Sequence, residues 1–449
     1  MKVSGIPISP PAGMENGYKV TPELLAACLA KYSRSNEGID KILEKVDWED
    51  PYGAVDRIFK FIDYGHASIG GLTGGIAICV DDVSMFMAYK IFEIAQLCDG
   101  QESSTRYITL TPEGLPDPKD LGIPEEHCEE WTNVMTECFN VYEDLSNDLK
   151  QKAKDDPSIM NIPKDVTDKK VIARMRKNYA LDRARYFIPL ATKTSAAYVM
   201  TARVWADTIK RLESVPLKEA KDVATLLRTE LEKFAPRLIR HSHADECSEH
   251  KAFEHVASGV WSRYHDFPIY QCESTCEVEL NVPQNNKAFT PEGCFMHKKN
   301  RYSEVGSPIK RTFIRANWSA ISFAELRDLN RHRTGFRYTN LIPKGFYLPD
   351  CVDREPYTEV LKRVGDITKK LADSDDMKTM NYIYCYLLGT QVEFEHSTQL
   401  DKFIYEIELR TGRGSHFKYA EHLTEAYDDL IKKAPELEPY IELGTAEPE

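Results

Sequence analysis

Two short stretches of this chain carry side chains with obvious chemical use. Arg331-His332-Arg333 puts two guanidiniums and an imidazole on consecutive residues. Guanidiniums are planar forks that hold phosphates, carboxylates and electron-rich rings through paired hydrogen bonds. Gln101-Glu102-Ser103-Ser104-Thr105-Arg106-Tyr107 offers a different set. Ser104 and Arg106 can hold a phosphate or a sugar, and Glu102 can accept from hydroxyl or amide groups. Each stretch alone has a plainer reading. The first would serve as a basic helix end, the second as a polar loop with Glu102 and Arg106 paired at the surface. A repeat joins them. Residues 106–114 read Arg-Tyr-Ile-Thr-Leu-Thr-Pro-Glu-Gly, and residues 337–345 read Arg-Tyr-Thr-Asn-Leu-Ile-Pro-Lys-Gly. Five residues fall in register, as expected of a duplicated domain in which each copy carries part of a site.

The elements that must position these residues follow from periodicity and punctuation. Thr21 can cap a helix with Pro22 in its first turn. A second helix is predicted over 51–64, a strand over 74–80 and a helix over 83–97. The Pro- and Gly-rich stretch 106–125 reads as loop, and 126–155, 168–184, 190–213 and 217–240 read as helices. In the second copy, 309–316 alternates like a strand, while 319–332, 356–373, 376–408 and 414–434 read as helices. This is an α+β pattern in two tandem domains, 1–242 and 243–449.

Composition narrows the possible functions. A net charge of −13 gives no global field to draw nucleic acid or an anionic membrane, though a local arginine cluster can still bind a small anion. The apolar runs are too short to span a bilayer, and the N-terminal sequence has no apolar core of a secretory signal. Eleven scattered cysteines suit a reducing cytoplasm better than a disulfide framework. A tract of His241, His243, Cys247, His250 and His255, followed by Cys272, Cys276, Cys294 and His297, matches no standard zinc spacing, so no metal is assigned.

The motifs together resemble the flavin-dependent thymidylate synthases, whose signature runs Arg-His-Arg-x-x-Ser-x-Asn-Glu-x-Ser-x-Arg-Tyr. The first copy is similar to its right half, at Gln101, Glu102, Ser104, Arg106 and Tyr107, with Ile94-Ala95-Gln96 where the family has Arg-His-Arg. The second copy is similar at Arg331-His332-Arg333 and Arg337-Tyr338. Gly65-His66-Ala67-Ser68 resembles the family's flavin-contacting His-x-Ser/Thr element. Ala184-Arg185 through Pro189-Leu190 resembles its nucleotide-binding Ala-Arg-x-x-Leu-Pro segment. Thr201-Ala202-Arg203 stands where the family has Asn-Ala-Arg, and Leu409-Arg410 resembles the Leu-Arg whose arginine contacts uracil. Asp328 and Thr201 depart from the family, which has Gln and Asn there.

The resemblance implies two tandem domains, each a mostly antiparallel sheet flanked by helices. It implies reductive methylation of dUMP to dTMP, with FAD as cofactor and methylenetetrahydrofolate and NADPH as co-substrates. Arg410 and Arg331 would be catalytic. His66, Ser68, Arg203, Arg331, His332 and Arg333 would contact flavin; Glu102, Ser104, Arg106, Arg185 and Arg410 would contact the nucleotide. Because family members are homotetramers with shared sites, a tandem chain is expected to form a homodimer with one flavin per chain. Two other readings stay open: a flavoenzyme acting on another pyrimidine nucleotide, and a non-catalytic nucleotide-binding protein.

Overall fold

A computed structural model describes residues 1–6, 22–50, 53, 57–58, 75–95, 97–105, 108, 110–232, 242–244, 267–283, 290–374 and 379–444. These form two compact units. One comprises Met1–Glu137, Pro189–Asp266 and Arg363–Tyr386; the other comprises Cys138–Ile188, Phe267–Lys362 and Leu387–Glu449. Each unit therefore contains one segment taken from the opposite half of the sequence. All ten described cysteines are free. Among the described residues, no helix is long and apolar enough to cross a membrane.

Each unit is built on a four-stranded antiparallel sheet. Strands β1 (Lys2–Ile6), β2 (Ile76–Ser84), β3 (Asp99–Glu102) and β4 (Lys193–Met200) lie in the order β1-β2-β4-β3. Strands β5 (Cys276–Asn281), β6 (Phe313–Ser322), β7 (Phe336–Phe346) and β8 (Thr390–Gln399) lie in the order β5-β6-β8-β7. The two orders are the same, and so is a defect. The β2–β4 register slips between Val80 and Val83, and the β6–β8 register slips between Trp318 and Ile321. In β2 the bulge holds Asp82 at φ 57, a left-handed conformation that the short polar side chain of Asp tolerates.

The shared bulge sets a residue-by-residue equivalence between the sheets. Cys79 and Gln101 flank Ala197, just as Asn317 and Tyr338 flank Glu395. Gly100 pairs with Tyr198, and Arg337 pairs with His396. This corrects the register read from the sequence repeat. Arg337-Tyr338 stands at the sheet position of Gly100-Gln101, and Thr339 stands at that of Glu102. Arg106 and Tyr107 themselves lie outside the described residues; pairing to the central strand, and not local identity, decides which residues are equivalent.

Two predicted helices are also corrected. The periodicity of 190–213 and 376–408 predicts helix throughout, but these stretches hold the central strands β4 and β8. Helices follow only at Ala202–Glu213 and Leu400–Arg410. Strand β4 is buried on both faces along most of its length, so it lacks the alternation that marks a half-exposed strand. Ala196 and Ala197 in β4, and Glu393 and Glu395 in β8, are better helix formers than strand formers. Pairing on both edges overrides that preference. The predicted helix at 51–64 and the strand residues before Gly75 lie largely outside the described residues.

What covers the sheets differs. In the first unit, Ala77, Cys79, Ala197 and Val199 are buried beneath Leu24, Leu29, Tyr32, Ile39 and Ile42 from helices Pro22–Tyr32 and Ile39–Glu44. Arg315, Asn317, Glu395 and Ser397 hold the same register positions in the second sheet. They are polar and at least partly exposed.

After each bulged strand comes a buried helix, Met85–Ile94 or Phe323–Leu329. The serine at each junction is tied to a buried glutamate. Glu219 accepts from Ser84 N (2.8 Å), Ser84 Oγ (2.7 Å) and Tyr384 OH (2.8 Å). Glu325 accepts from Ser322 Oγ and from Tyr186 OH, the latter at 2.7 Å. Burial raises the pKa of both carboxyls, and these donors oppose it by stabilising the charge. Tyr384→Phe should leave one buried acceptor short of a donor and destabilise the protein by about 1–3 kcal/mol. A lower urea midpoint with an unchanged slope is the expected result; an unchanged midpoint would show that the bond contributes nothing.

Candidate functional site

The second unit gathers the charged residues. Helix Phe323–Leu329 ends at Asn330, and the chain turns through Arg331, His332, Arg333 and Thr334 before Gly335 leads into β7. Gly335 has φ 81, and a Cβ there would lie 2.2 Å from the Ser397 carbonyl oxygen, so only glycine fits this approach to β8. Two buried side chains hold the turn from the sheet side. Arg337 Nη1 donates to the His332 carbonyl (2.6 Å), and His396 Nε2 faces the Thr334 carbonyl (2.9 Å).

Arg410 is the last residue of helix Leu400–Arg410 and is partly buried. Its Nε donates to His332 Nε2 at 2.9 Å, and its guanidinium lies 5.9 Å from the centre of the Tyr419 ring. An imidazole nitrogen that accepts from a guanidinium carries no proton, so His332 holds its proton on Nδ1. Burial lowers the His332 pKa to about 3, helped by the nearby Arg410 charge and opposed by Glu406. His332 is therefore a neutral acceptor at physiological pH, not a third cation beside the two arginines.

Asp328 is buried between two arginines. Its Oδ2 takes Arg185 Nη2 at 3.1 Å, and its Oδ1 lies 3.2 Å from Arg331 Nη2. Arg185 is buried, with Glu325 3.8 Å away, whereas Arg331 is substantially exposed. Burial disfavours the Arg185 charge, but the surrounding carboxylates, Asp328 first, outweigh it and raise its pKa. The carboxylate that departs from the family pattern is thus neutralised where it stands.

The structure brings Arg185, Arg331, His332 and Arg410 into the second unit, with Arg333 on the same turn. Glu102 and Ser104 belong to the first unit. Glu102 ends β3 opposite Ala196. Ser104 is buried, and its N–H donates to the Ser33 carbonyl at 3.0 Å. It lines a cavity of about 230 Å³ with Ser103, Thr105, Lys193, Ser195 and the left-handed Asp82. His66, Ser68 and Arg106 lie outside the described residues; Arg203 sits in the first turn of helix Ala202–Glu213, its side chain likewise outside them. Most of the His/Cys tract before residue 267 is also outside.

Sequence reasoning missed His396, Glu406 and Tyr419, all buried near Arg410 or the Arg-His-Arg turn. One signal was available in principle: Val392, Glu393, Phe394 and Glu395 alternate between apolar and charged residues, as a half-buried strand does, and reading that stretch as helix concealed it. The depressed His332 pKa yields a pH prediction. The unfolded chain takes up a proton at His332 near its ordinary value of 6.5, and the folded protein does not until about pH 3. Stability should therefore fall as pH drops from about 6.5 towards 3. In His332→Asn that slope should be shallower in urea titrations across this range; an identical slope would contradict the assigned neutral state.

Residues 18–237 match the sequence profile of the family described as thymidylate synthase complementing protein. The UPF0159 protein Ta1429 of Thermoplasma acidophilum is 21% identical, the match covering 92% of this chain and 93% of that protein. A UPF0159 protein of Chlamydia muridarum is 22% identical over 64% of this chain and 59% of its own length. Residues 18–237, just under half of the chain, are thus a region that carries the profile of the thymidylate synthase complementing protein family.

Proposed function

We propose that this protein is a flavin-dependent thymidylate synthase that methylates dUMP at C5. The observation that carries the reading is the Arg410–His332 bond. It uses Nε, and among the described residues no hydrogen bond engages the two terminal amino groups of Arg410. A fork so oriented fits the paired oxygens of a pyrimidine ring or an anionic flavin edge.

In this reading Arg410 holds the uracil carbonyl oxygens and stabilises the charge that develops there when C5 acts as a nucleophile. His332, neutral and fixed by its own turn, sets the direction of the guanidinium. Arg331 and Arg333 flank it and supply positive charge for FAD, with His66, Ser68 and Arg203 as further flavin contacts. When bound there, reduced FAD would supply the hydride and methylenetetrahydrofolate the carbon, with NADPH as the reductant. Glu102, Ser104, Arg106 and Arg185 are assigned to the nucleotide, where holding the phosphate lowers the entropic part of the barrier. To reach a phosphate, Arg185 has to exchange Asp328 for it. The functional assembly is a homodimer of tandem chains acting in the cytoplasm.

The test is release of label from C5-tritiated dUMP with methylenetetrahydrofolate and NADPH, with the product identified by mass. Tritium release and dTMP support the reading. Bound dUMP without release would favour a non-catalytic nucleotide-binding protein, and another product would indicate a different C5 chemistry. Arg410→Ala should keep flavin absorbance and lose about 100-fold or more in turnover, the usual scale for one transition-state donor. Turnover near that of the parent would remove Arg410 from this role.

A further inference from the structure

The bulge-defined equivalence between the sheets exposes a difference in the layer beneath the Arg-His-Arg turn. His396 of β8 and Tyr198 of β4 hold the same register position, one opposite Arg337 and the other opposite Gly100. The helices that follow start at Leu400 and Ala202, each two residues beyond its strand's Thr398 or Met200. Glu406 therefore corresponds to Thr208, and Arg410 to Leu212. One copy builds this layer from neutral side chains. The other buries a histidine and a glutamate there, both 1% exposed, with their Nδ1 and Oε2 atoms 3.3 Å apart.

From this geometry we infer that His396 and Glu406 are positioning residues that hold the Arg331–Thr334 turn and the Arg410 guanidinium in working relation. His396 reaches both parts of the site. Its Nε2 faces the Thr334 carbonyl, an acceptor, so that nitrogen carries a proton. Its Nδ1 faces Glu406. Glu406 lies one turn before Arg410 on the same helix face, so strand, turn and helix are linked through one buried pair. The charged or titratable groups around Glu406 are His332, His396, Arg410 and Tyr419; burial raises its pKa, and the contact with His396 and the Arg410 charge help bring it below the usual carboxylate value. Breaking such a pair on one side leaves a buried charge without its counterpart.

The inference rests on the proposed thymidylate synthase reading for its kinetic arm only. Two variants test it in the full chain: Glu406→Gln, which keeps shape and removes charge, and the pair His396→Tyr with Glu406→Thr, which installs the residues the first copy uses at these positions. Both should stay folded and retain flavin absorbance. Turnover should drop about tenfold or more, as expected of a displaced catalytic group. The KM for dUMP should change by less than about threefold, because the lost interaction acts in the transition state. In protein labelled with ¹⁵N at histidine, the His332 signal should report a neutral ring in the parent and shift in both variants as the contact with Arg410 is released. An unmoved His332 signal, or turnover within about twofold of the parent, overturns the inference. If the parent itself does not turn over dUMP, the proposed activity fails, and the His332 signal alone decides whether the pair positions Arg410.

Discussion

Arg410 donates to His332 across 2.9 Å, and that bond forms only while the imidazole is neutral. Burial and neighbouring positive charge enforce the neutrality. Other features of the second unit serve the same constraint. Gly335 permits the tight approach of the turn to β8, Arg337 and His396 hold its carbonyls, and Glu406 offsets the positive charge gathered around it. On the far side of the turn, Asp328 neutralises Arg331 and the buried Arg185 together. Asp328 thus faces Arg185 and Arg331, and Glu406 faces His396, the opposing partners that buried charges require.

Duplication followed by divergence explains how one chain can afford this. Strand order and bulge are shared between the sheets, so the scaffold is common. The side chains on it are not. Tyr198, Thr208 and Leu212 replace His396, Glu406 and Arg410 in the first copy, while that copy has a hydroxyl-lined cavity around Ser104. Each unit also takes a segment from the opposite half of the sequence. Arg185 comes from the first half of the sequence but lies in the second unit, on Asp328.

The sequence made some of this legible. Arg331-His332-Arg333 stood out by composition, and Arg410 by the resemblance of Leu409-Arg410 to a family motif. The α+β class followed from the alternation of strand and helix signals, and both sheets bear it out. The central strands were hidden because β4 is buried on both faces and β8 is rich in helix-forming glutamate. Hiding β8 hid His396 with it. The sequence repeat at 106–114 and 337–345 suggested duplication and gave the wrong register, since identity of short motifs carries no information about pairing partners.

The central claim is that the working charge cluster belongs to one copy of the duplicated scaffold, so each chain holds one nucleotide. Equilibrium dialysis of the flavin-loaded protein against labelled dUMP measures this directly. Saturation at one dUMP per chain is the predicted result; two per chain, or none, would contradict the account.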